Sequence, residues 1–125
     1  MLIKYKNDYE KIAMGLLSFI PDLKDVTRIN SAIKGYLDID NRDLYLWKNE
    51  DGDFTGVVGI EDDGNIVVVR AISLSPDERH KKVSFLILDA VLALYPDRKI
   101  MGTIDTTKLI EKWEMQKNES KGWID

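Results

Sequence analysis

The sequence predicts an α/β (α+β) fold, a mixed and mostly antiparallel central sheet with helices on both faces. Three observations carry that expectation. Strand-like alternation and helix-like periodicity follow one another in the order strand, two helices, three strands, helix, strand, helix. The three middle strands are joined by short turns, so they pair as antiparallel hairpins. The strand–helix–strand unit that follows is a crossover, which adds a parallel neighbour.

Each element has its own signal. Residues 2–6, LIKYK, alternate as a first strand. From Tyr9 the apolar residues Tyr9, Ile12, Ala13, Leu16, Leu17 and Ile20 recur at helical spacing, and Pro21 ends the pattern. Asp22 is placed to cap a second helix, with Leu23, Val26, Ile29, Ile33, Tyr36 and Leu37 on one face. DLYLWKNE (43–50) is a strand, Asp51-Gly52 a two-residue hairpin turn, and FTGVVGIE (54–61) the returning strand. NIVVVRAISLS (65–75) is apolar on both faces, as a central strand is. A helix from about Lys81 to Leu94 stops before Pro96. RKIMGTI (98–104) is a strand, TTKLIEKWEMQK (106–117) a short helix, and KGWID a last short strand or a loose end.

Composition narrows the function. The 125 residues fit one domain, 1–125, of ordinary apolar content. There is no Cys, hence no disulfide framework and no thiolate chemistry. The N-terminus lacks a secretory apolar region, and the run from Val83 to Leu94 is too short to span a bilayer. The expectation is a cytoplasmic protein with no membrane partner. A net charge of −4 and a pI near 5.0 argue against nucleic acid, whose binding needs a basic stripe. One His and no Cys argue against zinc. EDDG (61–64) lacks the spacing of a calcium loop and is a turn, so no metal site is expected.

One stretch runs against local electrostatics. Arg79-His80-Lys81-Lys82 crowds basic side chains onto the start of a helix. That end carries roughly +0.5 charge, so each cation there costs about 0.3–1 kcal/mol unless an anion joins it. The turn also lies at the carboxyl end of a strand, where open sheets bind ligands.

The residues from Ile72 to Ser84 read Ile-Ser-Leu-Ser-Pro-Asp-Glu-Arg-His-Lys-Lys-Val-Ser. Their register resembles the acyl-CoA motif of the GCN5-related N-acetyltransferase family: apolar–x–apolar–x–Pro–x–x–Arg–x–x–Gly–x–Gly/Ala. Within that family, LIKYKNDYEKIAMGLLSF and RAISLSPDERH are similar to the small RibT-like acetyltransferases of riboflavin operons. The resemblance implies an acetyl-CoA-dependent N-acetyltransferase acting on a small-molecule or protein amine by direct attack. It implies acetyl-CoA or CoA as cofactor, bound by Ile72, Ser73, Leu74, Arg79, His80, Lys81, Lys82, Val83 and Ser84. The backbones of Ile72 and Leu74 would pair with the pantetheine arm, and the helix start would hold the pyrophosphate. Homo-oligomers occur within such an expectation but are not specified by it.

Departures from the motif set the alternative. Lys82 and Ser84 stand at glycine positions. We expect Lys82 at φ < 0 in the first helical turn, its ammonium facing the phosphates. Trp113 falls where many members carry a catalytic Tyr, and Val67, Val68 and Val69 replace a strand carboxylate. Glu61 is the remaining candidate base. Arg70, a charge within an apolar strand, has three readings: it snorkels to the surface, pairs with a buried acid, or faces the acceptor and binds a carboxylate. Tyr36, Tyr45 and Trp47 either line the acceptor site or pack in the core. The competing function is a catalytically degenerate domain of the same fold that binds CoA or a protein partner without turnover.

Overall fold

The computed structural model describes residues 1–79 and 82–120. Five strands form one sheet in the order β1-β2-β3-β4-β5: β1 Leu2–Lys4, β2 Arg42–Lys48, β3 Phe54–Asp62, β4 Ile66–Leu74 and β5 Lys99–Gly102. The first four are antiparallel neighbours and β5 runs parallel to β4. The helices are α1 Glu10–Leu17, α2 Val26–Asp38, α3 Val83–Leu94 and α4 Thr107–Ser120. This is the mixed, mostly antiparallel architecture read from the sequence. The segment KGWID, expected as a strand or a loose end, lies outside the described residues. No helix among the described residues is long and apolar enough to cross a membrane.

Two apolar layers hold the sheet. On one face α1 and α2 bring Ala13, Leu16, Leu17, Ile29, Ile33 and Tyr36 against Leu44, Leu46 and Val57. On the other, α3 and α4 bring Val83, Ile87, Leu88, Val91, Ile110 and Trp113 against Val58, Ile60, Val67, Val69 and Ile100. Strict alternation along β3 produces this division: Val57 serves one layer and Val58 the other. Asp89, a charge within the most apolar helix, accepts a hydrogen bond from the Trp113 indole nitrogen at 2.8 Å and ties α3 to α4.

Local details correct the sequence reading in three places. The cap of α2 is Asp25, whose carboxylate accepts from the Arg28 amide at 2.8 Å. Asp22 instead belongs to a 3₁₀ turn, Pro21–Leu23, because Pro21 fixes φ for a tight turn at its start. On α2 only the middle of the predicted stripe is covered; Val26 and Leu37 remain exposed at the two ends. The β2–β3 hairpin has a three-residue loop. The Gly52 amide donates to the Asn49 carbonyl, Gly52 sits at φ 87, and the Asn49 amide donates to the Asp53 carbonyl. The Asn49 side chain holds the loop by accepting from the amides of Asp51 and Asp53.

Candidate functional site

β4 and β5 pair only through Val69 and Gly102, after which they diverge. Thr106 fixes that point. Its hydroxyl donates to the Val69 carbonyl at 2.7 Å and accepts from the Thr103 amide at 2.9 Å. Gly102 is required there, since a Cβ would meet the Thr107 backbone at 2.8 Å. Beyond Val69, β4 keeps its partner on the β3 side alone. The Ser75 amide donates to Thr55 of the strand before it. Main-chain groups alternate in direction along a strand, so Ser73 and Ala71 also face β3, while Ile72 and Leu74 face the open edge.

That edge borders a cleft of about 830 Å³. Its walls include Tyr36 of α2, the bend Phe19–Leu23 after α1, Arg79, Ser84 at the start of α3, and Asp105 and Thr106 before α4. The Arg79 guanidinium lies 5.1 Å from the Phe19 ring centroid, in cation–π range. It also donates to the Leu74 carbonyl at 3.4 Å. Ser73 is committed elsewhere: its hydroxyl donates to the Leu16 carbonyl at 2.8 Å and pins β4 to α1.

The basic turn begins with a 3₁₀ turn, Pro76–Glu78, and α3 begins at Val83. His80 and Lys81 lie outside the described residues. Lys82 overturns the expectation of φ < 0. It stands at φ 55, ψ 29, in the left-handed region, as the residue before the helix. Glycine adopts that conformation without strain. A left-handed residue directly before a right-handed helix gathers consecutive amides into a concavity suited to an anion. The amides of Val83 and Ser84, in the first turn of α3, have no acceptor within the helix.

The other end of the cleft is built on a bulge. Gly59 pairs with Ala71 but Ile60 pairs with Val69, so Arg70 is an extra residue with no partner on β3. The bulge puts Arg70 and Ala71 together on the α1–α2 face. Arg70 NH1 lies 3.5 Å from Glu61 Oε1, while Arg42 Nε takes that same oxygen at 2.8 Å. Arg42, first, and Arg70 hold the Glu61 carboxyl below its ordinary pKa, against the opposing effect of burial. Glu61 is therefore the counter-ion of two arginines, and it is absent from the cleft wall. This is a poor setting for the general base expected of it. The Tyr36 phenol lies over Gly59, where any Cβ would overlap it. Burial raises the Tyr36 pKa, and the Arg70 and Arg42 charges pull it part of the way back.

Of the aromatic candidates, only Tyr36 lines the cleft. Tyr45 and Trp47 pack on the α3–α4 face, against that face's core. Trp113 is core, 3% exposed. Sequence reasoning missed Thr106, Asp105 and Asp22 as cleft residues. Thr106 had a signal, a hydroxyl just before a helical run; the two aspartates had none.

No protein-family model matches the chain. It is 38% identical over 116 residues to an uncharacterized N-acetyltransferase in the lysA 3′ region of Bacillus methanolicus, covering 92% of this chain and 96% of that one. Among solved structures it is similar to the aminoglycoside acetyltransferase AAC(6′)-Iy in complex with a bisubstrate analogue. There the TM-score is 0.69 at 13% identity, covering 100% of this chain and 90% of the other. A GNAT-family acetyltransferase from Staphylococcus aureus gives a TM-score of 0.65 at 18% identity, covering 94% and 82%. With the fold, the Ile72–Ser84 register and this relative in agreement, the chain belongs to the GCN5-related N-acetyltransferase family.

Proposed function

We propose that the protein transfers an acetyl group from acetyl-CoA to an amine by direct attack. One observation carries this reading: the strand edge at Ile72 and Leu74, where β4 has no pairing with β5, borders the same cleft as Ser84 at the start of α3. An extended polar arm with a phosphate at one end fits that sequence of groups, and AAC(6′)-Iy is a neighbour solved with CoA. Ile72 and Leu74 would pair with the arm as an added strand. Val83 and Ser84 would donate amides to the phosphates, with Arg79 beside them. The proposed set from the sequence also includes Ser73, His80, Lys81 and Lys82; Ser73 would act through its main chain, since its hydroxyl is bonded to Leu16. When bound, acetyl-CoA supplies an activated thioester.

The acyl carbon would then lie near Arg70 and Ala71, because the arm runs back along β4 from the phosphate end. An acceptor amine must lose its ammonium proton before its nitrogen could attack such a thioester, and the thiolate that leaves would take up a proton from solvent. Asp22 and Asp105 are the carboxylates that line the cleft and can receive the ammonium proton, directly or through water. Glu61 is proposed to position Arg70 instead of taking the proton.

The test has two parts. Calorimetry and thermal shift with acetyl-CoA and CoA should show binding, with the melting temperature rising at saturation. Thiol release over a panel of amines should show turnover. No heat and no shift at millimolar CoA would overturn cofactor binding. Binding without release on any amine would favour the degenerate domain.

A further inference from the structure

Arg70 is held in place without being fully used. The tight bond to Glu61 belongs to Arg42, at 2.8 Å; Arg70 shares the same oxygen loosely, at 3.5 Å, through one nitrogen. A guanidinium has five donors in a planar fork. Beyond that loose contact from NH1, the protein neighbour of Arg70 in the cleft is the Tyr36 phenol, which leaves donors of the fork for a ligand. The side chain is 35% exposed, and it lines the cleft. A strand residue of this kind is ordinarily turned to solvent or paired outright. Here the bulge turns it into the cavity, beside the Tyr36 hydroxyl and at the end of the cleft away from the basic turn.

The local charge limits what can bind. Arg42 and Arg70 face Glu61, and Asp63 is close enough to couple with Glu61. Two guanidinium groups against two carboxylates leave the cluster without net charge, so a single carboxylate is drawn by the open donors of Arg70 and not by surplus charge. The opposite sign is present in the same cleft, as Asp22 and Asp105. A cavity with a planar cation on one wall and carboxylates on others complements a zwitterion.

We propose that Arg70 is the specificity residue of the acceptor site and that the acceptor amine carries a carboxylate within a few bonds of its nitrogen, as a small amino acid does. The carboxylate takes the open donors of Arg70, assisted by the Tyr36 hydroxyl, and the nitrogen is left facing the acyl end of β4. This inference rests on the acetyl-transfer reading above. Bidentate pairing of a guanidinium with a carboxylate adds geometric selection to charge. It therefore excludes simple alkylamines as well as favouring acids.

The experiment compares matched amines: L-phenylalanine with phenylalanine amide and phenethylamine, and L-lysine with cadaverine. For the parent enzyme, kcat/KM should favour the free acid over its amide and its decarboxylated partner by about tenfold or more. In Arg70→Met that ratio should collapse toward one, and Arg70→Lys should recover part of it. A structural role alone would lower all members of a pair together and leave the ratio alone. In parallel, the CoA-loaded parent is titrated with the same acids by protein-detected NMR, which needs no turnover and no variant. Saturable binding of an acid but not of its amide supports the proposal. Equal rates within pairs, an unchanged ratio in Arg70→Met, or no acid binding at millimolar concentration would each overturn it. The CoA thermal shift on the same samples reports separately on the acetyl-transfer reading.

Discussion

Lys82 is the residue whose conformation and chemistry pull apart. Its left-handed backbone costs about 1–2 kcal/mol for an L-residue. Glycine relieves that strain but gains freedom in the unfolded chain, worth about 0.5–1 kcal/mol. Lys82→Gly should therefore stabilise the protein by up to about 1 kcal/mol and raise the melting temperature by a few degrees. Lys82→Ala keeps the strain and should not. Parallel thermal melts of the two variants decide this. The family motif predicts a glycine here; no local pattern in Arg-His-Lys-Lys signals a positive φ, and so the sequence reading placed Lys82 inside the helix. Glu61 gives a second expectation at this scale. Arg42 and Arg70 depress its folded pKa, so it contributes stability that is fully present above the unfolded value, near 4.5, and is lost as pH falls through the folded value. Acid titration of the melting temperature should thus fall more steeply in the parent than in Glu61→Gln over that acidic window. Equal slopes would mean that the two arginines do not hold the carboxylate.

At the scale of elements, alternation and helical spacing were sufficient wherever one face is dry. Val57 and Val58 point to opposite cores as their spacing requires, and Ile29, Ile33 and Tyr36 are buried together. What pattern could not supply was the reach of a neighbour. Val26 and Leu37 share the stripe of Ile29 and Ile33 but remain exposed at the two ends of α2. Asp22 was expected to cap α2, but the turn begun by Pro21 takes it up and the cap falls to Asp25. Asp89 is another case. In sequence it interrupts an apolar helix; in the fold it satisfies the Trp113 indole. Asp89→Ala leaves that buried donor without a partner, so it should destabilise by about 1–3 kcal/mol. Urea unfolding should show a lower midpoint at constant m. A midpoint unchanged from the parent would show that the indole finds water instead.

At the scale of the molecule, the strand order and the mixed sheet were legible because hairpins and a crossover leave few topologies. The site was legible at one end only. The basic turn announces itself in sequence, whereas the bulge does not, since VVVRAI reads as a strand with a stray charge. Register differences between two strands are properties of a pair, and one strand's sequence does not contain them. The bulge also has a consequence for how this sheet tolerates lost residues. Val67 and Val69 face α3 before it, and Ile72 and Leu74 face the same way after it. Arg70 and Ala71 share the opposite side, so excising Arg70 leaves every other β4 residue facing its present layer. The expected result is a deletion variant that still unfolds cooperatively and still shifts its melting temperature with CoA, because Thr106 keeps β4 and β5 apart beyond Val69, but that has lost the cation from the cleft wall. Loss of cooperative unfolding would show the extra residue to be structural. A single codon would then separate a sheet that carries a guanidinium into the cleft from one with the same layers and none there.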